Sequence, residues 1–266
     1  MYFDKYSQIG SSHKVNEDYA VVGNDTNPFV VVSDGCSSSP DTDIGSRILA
    51  LTTARCLMRY KTIDVKELMF NVLIDANAVA MSLGVSTRCL DATLLIARVV
   101  EDRVNVIMYG DGCLYAVPKG NSPVVVHTVE YTPEMPYYPS YKLNMENDRS
   151  YMDQAGSLSL RKIEQTELLG QGDSFRANTN PILPTTFSYP IDDLSAILLT
   201  TDGVGTFIAD KPCNVYRQSY IDSELTNFKS FKGEFVQRRM KRMMKNNIAD
   251  GVTHYDDFTA AGISFC

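Results

Sequence analysis

Between Ala92 and Val129 four β-prone apolar runs follow one another with almost no chain between them. Ala92–Val100, Arg103–Tyr109, Cys113–Val117 and Pro123–Val129 are separated only by Glu101-Asp102, Asp111-Gly112 and Lys119-Gly120-Asn121-Ser122. Connections that short join antiparallel strands, because a parallel return needs a crossover of a dozen residues or more. The spacing predicts an antiparallel meander and excludes the doubly wound parallel sheet of dinucleotide-binding proteins.

The rest of the chain supplies layers to go with that sheet. Phe3–Gly10, Tyr19–Gly23 and Phe29–Ser33 read as strands, followed by a polar loop, Ser37 to Asp43, that ends in good helix N-cap residues. Ile44–Arg59 carries Ile48, Leu51 (or Thr52), Arg55 and Cys56 at helical spacing, with Leu49, Thr53 and Leu57 broadening the apolar face. Val65 to about Leu83 is more regular, with Leu68, Val72, Ala76 and Val79 at three- and four-residue steps. A strand at Ala196–Thr201, a helix from about Glu234 to Asn247 and a strand at Phe258–Phe265 complete an α+β layered domain. Residues 130–190 read poorly, with one more strand near Leu160–Leu168. With 266 residues and no linker or repeat, residues 1–266 are expected to form one domain.

Three of the apolar runs end in Asp-Gly: Phe29–Ser33 before Asp34-Gly35, Val104–Gly110 before Asp111-Gly112, and Ile197–Thr201 before Asp202-Gly203. A strand ending this way delivers a carboxylate to the sheet rim, and the glycine lets the backbone turn or another group approach. With Asn16-Glu17-Asp18 and Asp256-Asp257, these endings suggest one acidic site assembled from the whole chain. Two carboxylates about 4 Å apart repel by roughly 4 kcal/mol at an effective dielectric near 20, so a converging group needs protons or cations. Oxygen ligands without His or Cys favour Mg²⁺ or Mn²⁺ over Zn²⁺. Two such ions can clamp a phosphate and generate hydroxide near neutral pH. Each piece also has a plainer reading. Asp111-Gly112 between strands is a type I′ hairpin signal, Asp34 and Asp202 each precede a loop-to-helix step where Asp caps helices, and Asp256-Asp257 reads as solvated surface.

The net charge of −7 argues against general affinity for nucleic acid. No apolar run reaches membrane-spanning length, and Met1-Tyr2-Phe3-Asp4-Lys5 lacks the pattern of a signal peptide, so a cytoplasmic protein is expected. The six cysteines (Cys36, Cys56, Cys89, Cys113, Cys213, Cys266) show no Cys-x-x-Cys spacing and read as free thiols.

These residues, in this order, resemble the metal-dependent serine/threonine protein phosphatases of the protein phosphatase 2C type. The likeness runs from Gly10 to Phe265 through Asn16-Glu17-Asp18, Asp34-Gly35, Asp91-Ala92-Thr93, Tyr109-Gly110-Asp111-Gly112, Leu198 to Gly203 and Asp256-Asp257-Phe258-Thr259. It implies a four-layer α-β-β-α sandwich with two central antiparallel sheets flanked by helix pairs. It also implies two divalent metal ions, Mn²⁺ or Mg²⁺, and a third held weakly. Asp34 would bridge the two ions with the Gly35 carbonyl as a further ligand, Glu17 would hold the second ion largely through water, and Asp202 and Asp256 would hold the first. Asp111, with Asp202, would hold the third, and Asp18 would orient a metal-bound water. The implied activity is hydrolysis of phosphoserine or phosphothreonine in a phosphoprotein, a target of a serine/threonine kinase, by a hydroxide bridging the two ions.

The chain departs from the family pattern at supporting positions. His13, followed by Lys14, stands where the family has a phosphate-gripping arginine, and neither offers a planar fork of donors. His13 and Lys14 are therefore the expected substrate contacts, and the proton for the leaving alcohol is expected from metal-bound water or from His13 or His254. Cys36-Ser37-Ser38 replaces Met-Gly-Gly, Asp91-Ala92-Thr93 replaces Gly-Thr-Thr, and Asp256-Asp257 replaces Asp-Asn. His127 reads as strand filler. Cys36 and Cys113 each follow a site motif, as oxidation-sensitive thiols or as small residues that fit. The basic stretch Arg238–Lys245 reads as a solvated helix face or a docking patch. Pro136-Tyr137-Tyr138-Pro139-Ser140-Tyr141 is either a lid over the site or a packed surface loop. Two other functions stay open: a pseudophosphatase that binds partners without turnover, and a hydrolase of small phosphate esters.

Overall fold

The computed structural model describes residues 1–132, 135–155, 160–168, 175–179, 182–209 and 218–266. Fourteen strands and five α-helices are described. The strands are β1 (Tyr2–Gln8), β2 (Asp18–Asn24), β3 (Asn27–Asp34), β4 (Leu94–Val100), β5 (Arg103–Tyr109), β6 (Gly112–Pro118) and β7 (Val124–Thr132). They continue with β8 (Leu160–Leu168), β9 (Phe175–Thr179), β10 (Thr185–Pro190), β11 (Leu194–Thr200), β12 (Phe207–Ala209), β13 (Val252–His254) and β14 (Phe258–Ser264). The helices are α1 (Thr42–Arg59), α2 (Val65–Leu83), α3 (Met145–Ala155), α4 (Gln218–Thr226) and α5 (Phe235–Ala249).

Two antiparallel sheets form the centre. One has the order β10-β5-β4-β3-β2 and the other β1-β14-β11-β6-β7-β8-β9. The sequence dictates this stacking through strands that are apolar on both faces. In β3, Phe29 and Val31 pack with the helix pair α1/α2, while Val30 and Val32 face the second sheet. In β11, Ile197 and Leu199 face the first sheet while Ala196 and Leu198 pack toward α4 and α5. Three apolar layers result, between α1/α2 and the first sheet, between the sheets, and between the second sheet and α4/α5. The four-layer α-β-β-α sandwich stands as expected.

The meander does not run unbroken. β4 pairs with β5 and β6 with β7, but β5 and β6 belong to different sheets, and the chain crosses between them at Gly110-Asp111-Gly112. The hairpin reading of Asp111-Gly112 is thus corrected. The free edge of β5 pairs instead with β10, and the two glycines take φ values of 86° and 134° to make the crossing. A Cβ on Gly112 would stand 2.6 Å from the Thr200 carbonyl oxygen, so the crossing strand lies close against β11. On α1, Leu51 and Arg55 face solvent; the buried stripe is Ile48, Leu49, Thr52, Thr53, Cys56 and Leu57. Thr52 tolerates burial because its hydroxyl donates to the Ile48 carbonyl, 2.7 Å. Asp41 occupies the N-cap position of α1 without a side-chain cap bond.

The poorly read stretch contains a 3-10 turn (Pro139–Leu143), α3, β8, β9 and β10. On α5, Val236, Met240 and Met243 are buried, and Arg239 also turns inward to Glu224 at 2.5 Å. His127 is 5 % exposed between the sheets, against Phe187 and bonded to the Tyr189 hydroxyl. Five cysteines are free; Cys213 lies outside the described residues. No helix among the described residues is long and apolar enough to cross a membrane.

Candidate functional site

All the acidic motifs arrive at one rim because each closes or opens a central strand there. Asp18 opens β2 and Asp34 closes β3, and the two are register partners in the antiparallel pair. Asp202 follows β11, and Asp256-Asp257 precedes β14, the neighbour of β11. Asp111 sits on the crossing between sheets and brings the fifth segment to the same place. Asp34, Gly35, Asp111, Asp202 and Asp256 line one cleft, together with Cys36, Ser37, Thr93, Tyr138 and Thr206.

Electrostatics follow from burial. Asp18, 3 % exposed, is pushed well above the usual carboxylate range, first by burial and then by Asp257 and Asp202, although the Thr201 and Thr259 hydrogen bonds pull the other way. Burial likewise raises Asp34, and the charges of Asp18, Asp202 and Asp111 add to it. Asp111 is pushed up to about 8 by burial and Asp202. Asp202 is raised by burial and by Asp256, while a hydrogen bond from Asp34 works to lower it. Both members of the Asp34–Asp202 contact are thus held above the usual carboxylate range. Carboxyl groups whose charged forms are disfavoured together mark a place where positive charge is needed.

The surrounding hydrogen bonds fix the ring. Thr201 Oγ1 donates to Asp18 Oδ2 at 2.9 Å, and Asp18 Oδ1 is a buried acceptor with no partner. Thr93 grips the end of β3 twice, receiving the Asp34 amide on its hydroxyl at 3.0 Å and donating its own amide to the Asp34 carbonyl at 2.8 Å. Glu17 accepts from Ser37 Oγ at 2.6 Å and Thr42 Oγ1 at 2.7 Å. Asp257, 3 % exposed, accepts from the amides of Gly10 at 2.8 Å and Glu17 at 2.6 Å. His13 Nδ1 meets the same carboxylate at 3.0 Å, with Nε2 3.3 Å from Asp256. Burial alone would lower the His13 pKa, but Asp257, Asp256 and Glu17 together raise it above the ordinary value.

His13 and Lys14 do not line the cleft. His13 is half-buried against Asp256 and Asp257, and Lys14 is exposed. His254 stacks on Phe207 and is also absent from the cleft wall. Among the described residues, no Lys, Arg or His lines the cleft. Sequence reasoning gave no individual role to Asp257, Thr201, Asp91 or Tyr138. Asp257 follows the expected ligand Asp256, and its role depends on amides some 240 residues away, which no local pattern announces. Asp91 was visible only as a departure from a glycine.

Among the described residues, no group of three or more His, Cys, Asp or Glu side chains is preassembled to hold a metal ion. The donor set nevertheless suits hard divalent cations. It is all oxygen, it includes an orphaned buried carboxylate oxygen on Asp18, and the charges of its members raise one another's carboxyls.

The family model for protein phosphatase 2C matches residues 9–252. The chain belongs to that family. No curated protein sequence matches it. Solved structures share the fold. A bacterial serine phosphatase is similar at a TM-score of 0.59 and 14 % identity, with 100 % of this chain and 98 % of that one covered. PppA, a regulatory component of the type VI secretion system in Pseudomonas aeruginosa, gives 0.55 and 18 %, covering 98 % and 97 %. The catalytic domain of the serine/threonine phosphatase PstP, in complex with two manganese ions, gives 0.53 and 14 %, covering 98 % and 96 %.

Proposed function

We propose that this protein phosphatase 2C family member is a cytoplasmic, metal-dependent phosphatase that hydrolyses phosphoserine or phosphothreonine in a phosphoprotein targeted by a serine/threonine kinase. One observation carries the reading: Asp34, Asp111 and Asp202 line one cleft beside the buried Asp18, and all four, brought in by separate segments, have carboxyls held above the usual range. Such a cluster is costly to folding unless it serves cations.

The residues that would hold two divalent ions are Asp34, the Gly35 carbonyl, Glu17, Asp202 and Asp256, with Asp111 available for a third. Bound there, Mn²⁺ or Mg²⁺ would activate water near neutral pH and offset charge on the phosphoryl oxygens. The chain's own contribution is orientation. Thr201 fixes one oxygen of Asp18 and leaves the other free to accept a hydrogen from the attacking water. Thr93 holds Asp34 at the rim, and Ser37 and Thr42 hold both oxygens of Glu17. We read His13 as a cationic clasp for Asp256, Asp257 and Glu17 rather than a grip on substrate phosphate.

A second reading, the pseudophosphatase, is favoured by the lack of any basic side chain on the described cleft wall. Hydrolysis of p-nitrophenyl phosphate and of phosphopeptides with Mn²⁺ separates the two. Turnover that requires metal and disappears in both Asp34→Ala and Asp202→Ala supports the enzyme. No turnover on either substrate by a protein that binds Mn²⁺ supports the binding module. Turnover of the small ester alone would shift the substrate class to small phosphate esters.

A further inference from the structure

Among the described residues the cleft wall gives a phosphate dianion no side-chain cation, and the donors it offers are neutral. Near Asp34 and Asp111 few hydroxyls are free to serve. Ser37 is committed to Glu17, and Thr93 is buried while receiving the Asp34 amide. Tyr138 lines the same cleft, 8 % exposed, with the Cys36 thiol beside its hydroxyl. Sulfur is a weak acceptor, so the thiol does not compete with a phosphoryl oxygen for the hydroxyl.

Tyr138 is seated with unusual care. Its carbonyl caps the 3-10 turn Pro139–Leu143 by accepting the Tyr141 amide at 3.1 Å, and its ring meets the Tyr141 ring edge-on at 5.6 Å. The turn is pinned to the site by Asp91, which is 5 % exposed. One Asp91 oxygen accepts from Ser140 Oγ at 2.7 Å and the other from Ser39 Oγ at 2.8 Å. The Asp91 carbonyl also accepts the Cys36 amide at 2.9 Å. A single residue therefore ties the loop after Asp34-Gly35 to the turn that carries Tyr138, which a glycine side chain could not do.

We propose that the Tyr138 hydroxyl is this chain's own hydrogen-bond donor to a phosphoryl oxygen of the bound ester, and that Asp91 is the positioning residue that seats it. The proposal rests on the phosphatase reading above. In the Mn²⁺-loaded protein, Tyr138→Phe removes only the hydroxyl. KM for p-nitrophenyl phosphate and the inhibition constant of inorganic phosphate should both rise about five- to tenfold, with kcat within twofold, as expected for loss of uniform binding. Asp91→Ala should raise KM in the same way, and Asp91→Asn, which keeps one acceptor oxygen, should recover part of the effect. An unchanged KM and inhibition constant in Tyr138→Phe overturn the donor role. An unchanged KM in Asp91→Ala overturns the positioning role. Should Tyr138→Phe fail to fold, Ser140→Ala loosens the same seat, and an unchanged KM there counts against the proposal. If the wild-type protein shows no turnover, the phosphatase reading fails separately. Calorimetric binding of inorganic phosphate with Mn²⁺ then decides, with weaker binding in Tyr138→Phe in favour and equal binding against.

Discussion

Asp18 and Asp34 face each other as register partners at the open end of the β2–β3 pair, Asp18 buried and Asp34 half-buried, both with carboxyls held above the usual range. An antiparallel sheet has no structural use for two acids in register, since like charges directly opposite are destabilising.

This pairing makes metal response a stability measurement. Adding Mn²⁺ to metal-free protein should raise Tm, because a ligand that binds only the folded state stabilises it by mass action. Asp34→Asn should raise the Tm of the metal-free protein by several degrees, as about 1–2 kcal/mol of repulsion and burial cost is relieved. The same variant should lose most of the Mn²⁺ response. Differential scanning fluorimetry with and without metal reads both, and a metal-free Asp34→Asn less stable than wild type would count against the account.

Asp257 is expected to matter for folding more than any single ligand. Its carboxylate receives the Gly10 and Glu17 amides and the His13 imidazole, joining the segment before β2 to the segment before β14. Asp257→Ala leaves buried amides unmet and should cost about 2–4 kcal/mol, whereas Asp257→Asn, which keeps an acceptor, should cost less than half of that. Urea denaturation of the two variants measures the difference.

The legible parts of this chain were those fixed by local pattern. The bounds of α2 and β5 follow from periodicity and short connections, and every strand ending in Asp-Gly did bring its carboxylate to the cleft. What escaped depends on partners far along the chain. Asp111-Gly112 has the composition of a hairpin, yet β5 finds β10 and β6 finds β11, a choice made by burial between sheets rather than by the turn. The contacts of His13 with Asp256 and Asp257, more than 240 residues away, have no local signal either. Arg239, within a basic run, is drawn inward by Glu224.

The crossing itself is testable at Gly112. Its φ of 134° is one that L side chains rarely adopt, and a Cβ would press on the Thr200 carbonyl at 2.6 Å. Gly112→Ala should destabilise by about 2–4 kcal/mol, through strain and through displacement of β11 next to Asp202. Gly120→Ala, at a φ of 75° with open space around it, carries the backbone strain alone and should cost about 1 kcal/mol. Equal losses at the two positions would mean that the strands are not in close approach at the crossing.

His127 supplies a pH dependence outside the acidic rim. Buried between the sheets against Phe187 and Tyr189, with Nδ1 unpartnered, it has its pKa pushed down to about 4 by burial. The folded protein keeps the ring neutral while the unfolded chain takes up a proton near the ordinary value of about 6.5. The unfolded state then binds more protons between those values, so stability contributed by neutral His127 is complete above about pH 6.5 and is lost as pH falls toward 4. The full loss is on the order of 3 kcal/mol. Other groups titrate in that window, so the comparison is with His127→Gln, which cannot protonate. Between pH 7 and pH 4.5, wild type should lose about 2–3 kcal/mol more than the variant in urea denaturation. Parallel pH profiles for the two proteins would show that His127 is not held neutral between the sheets.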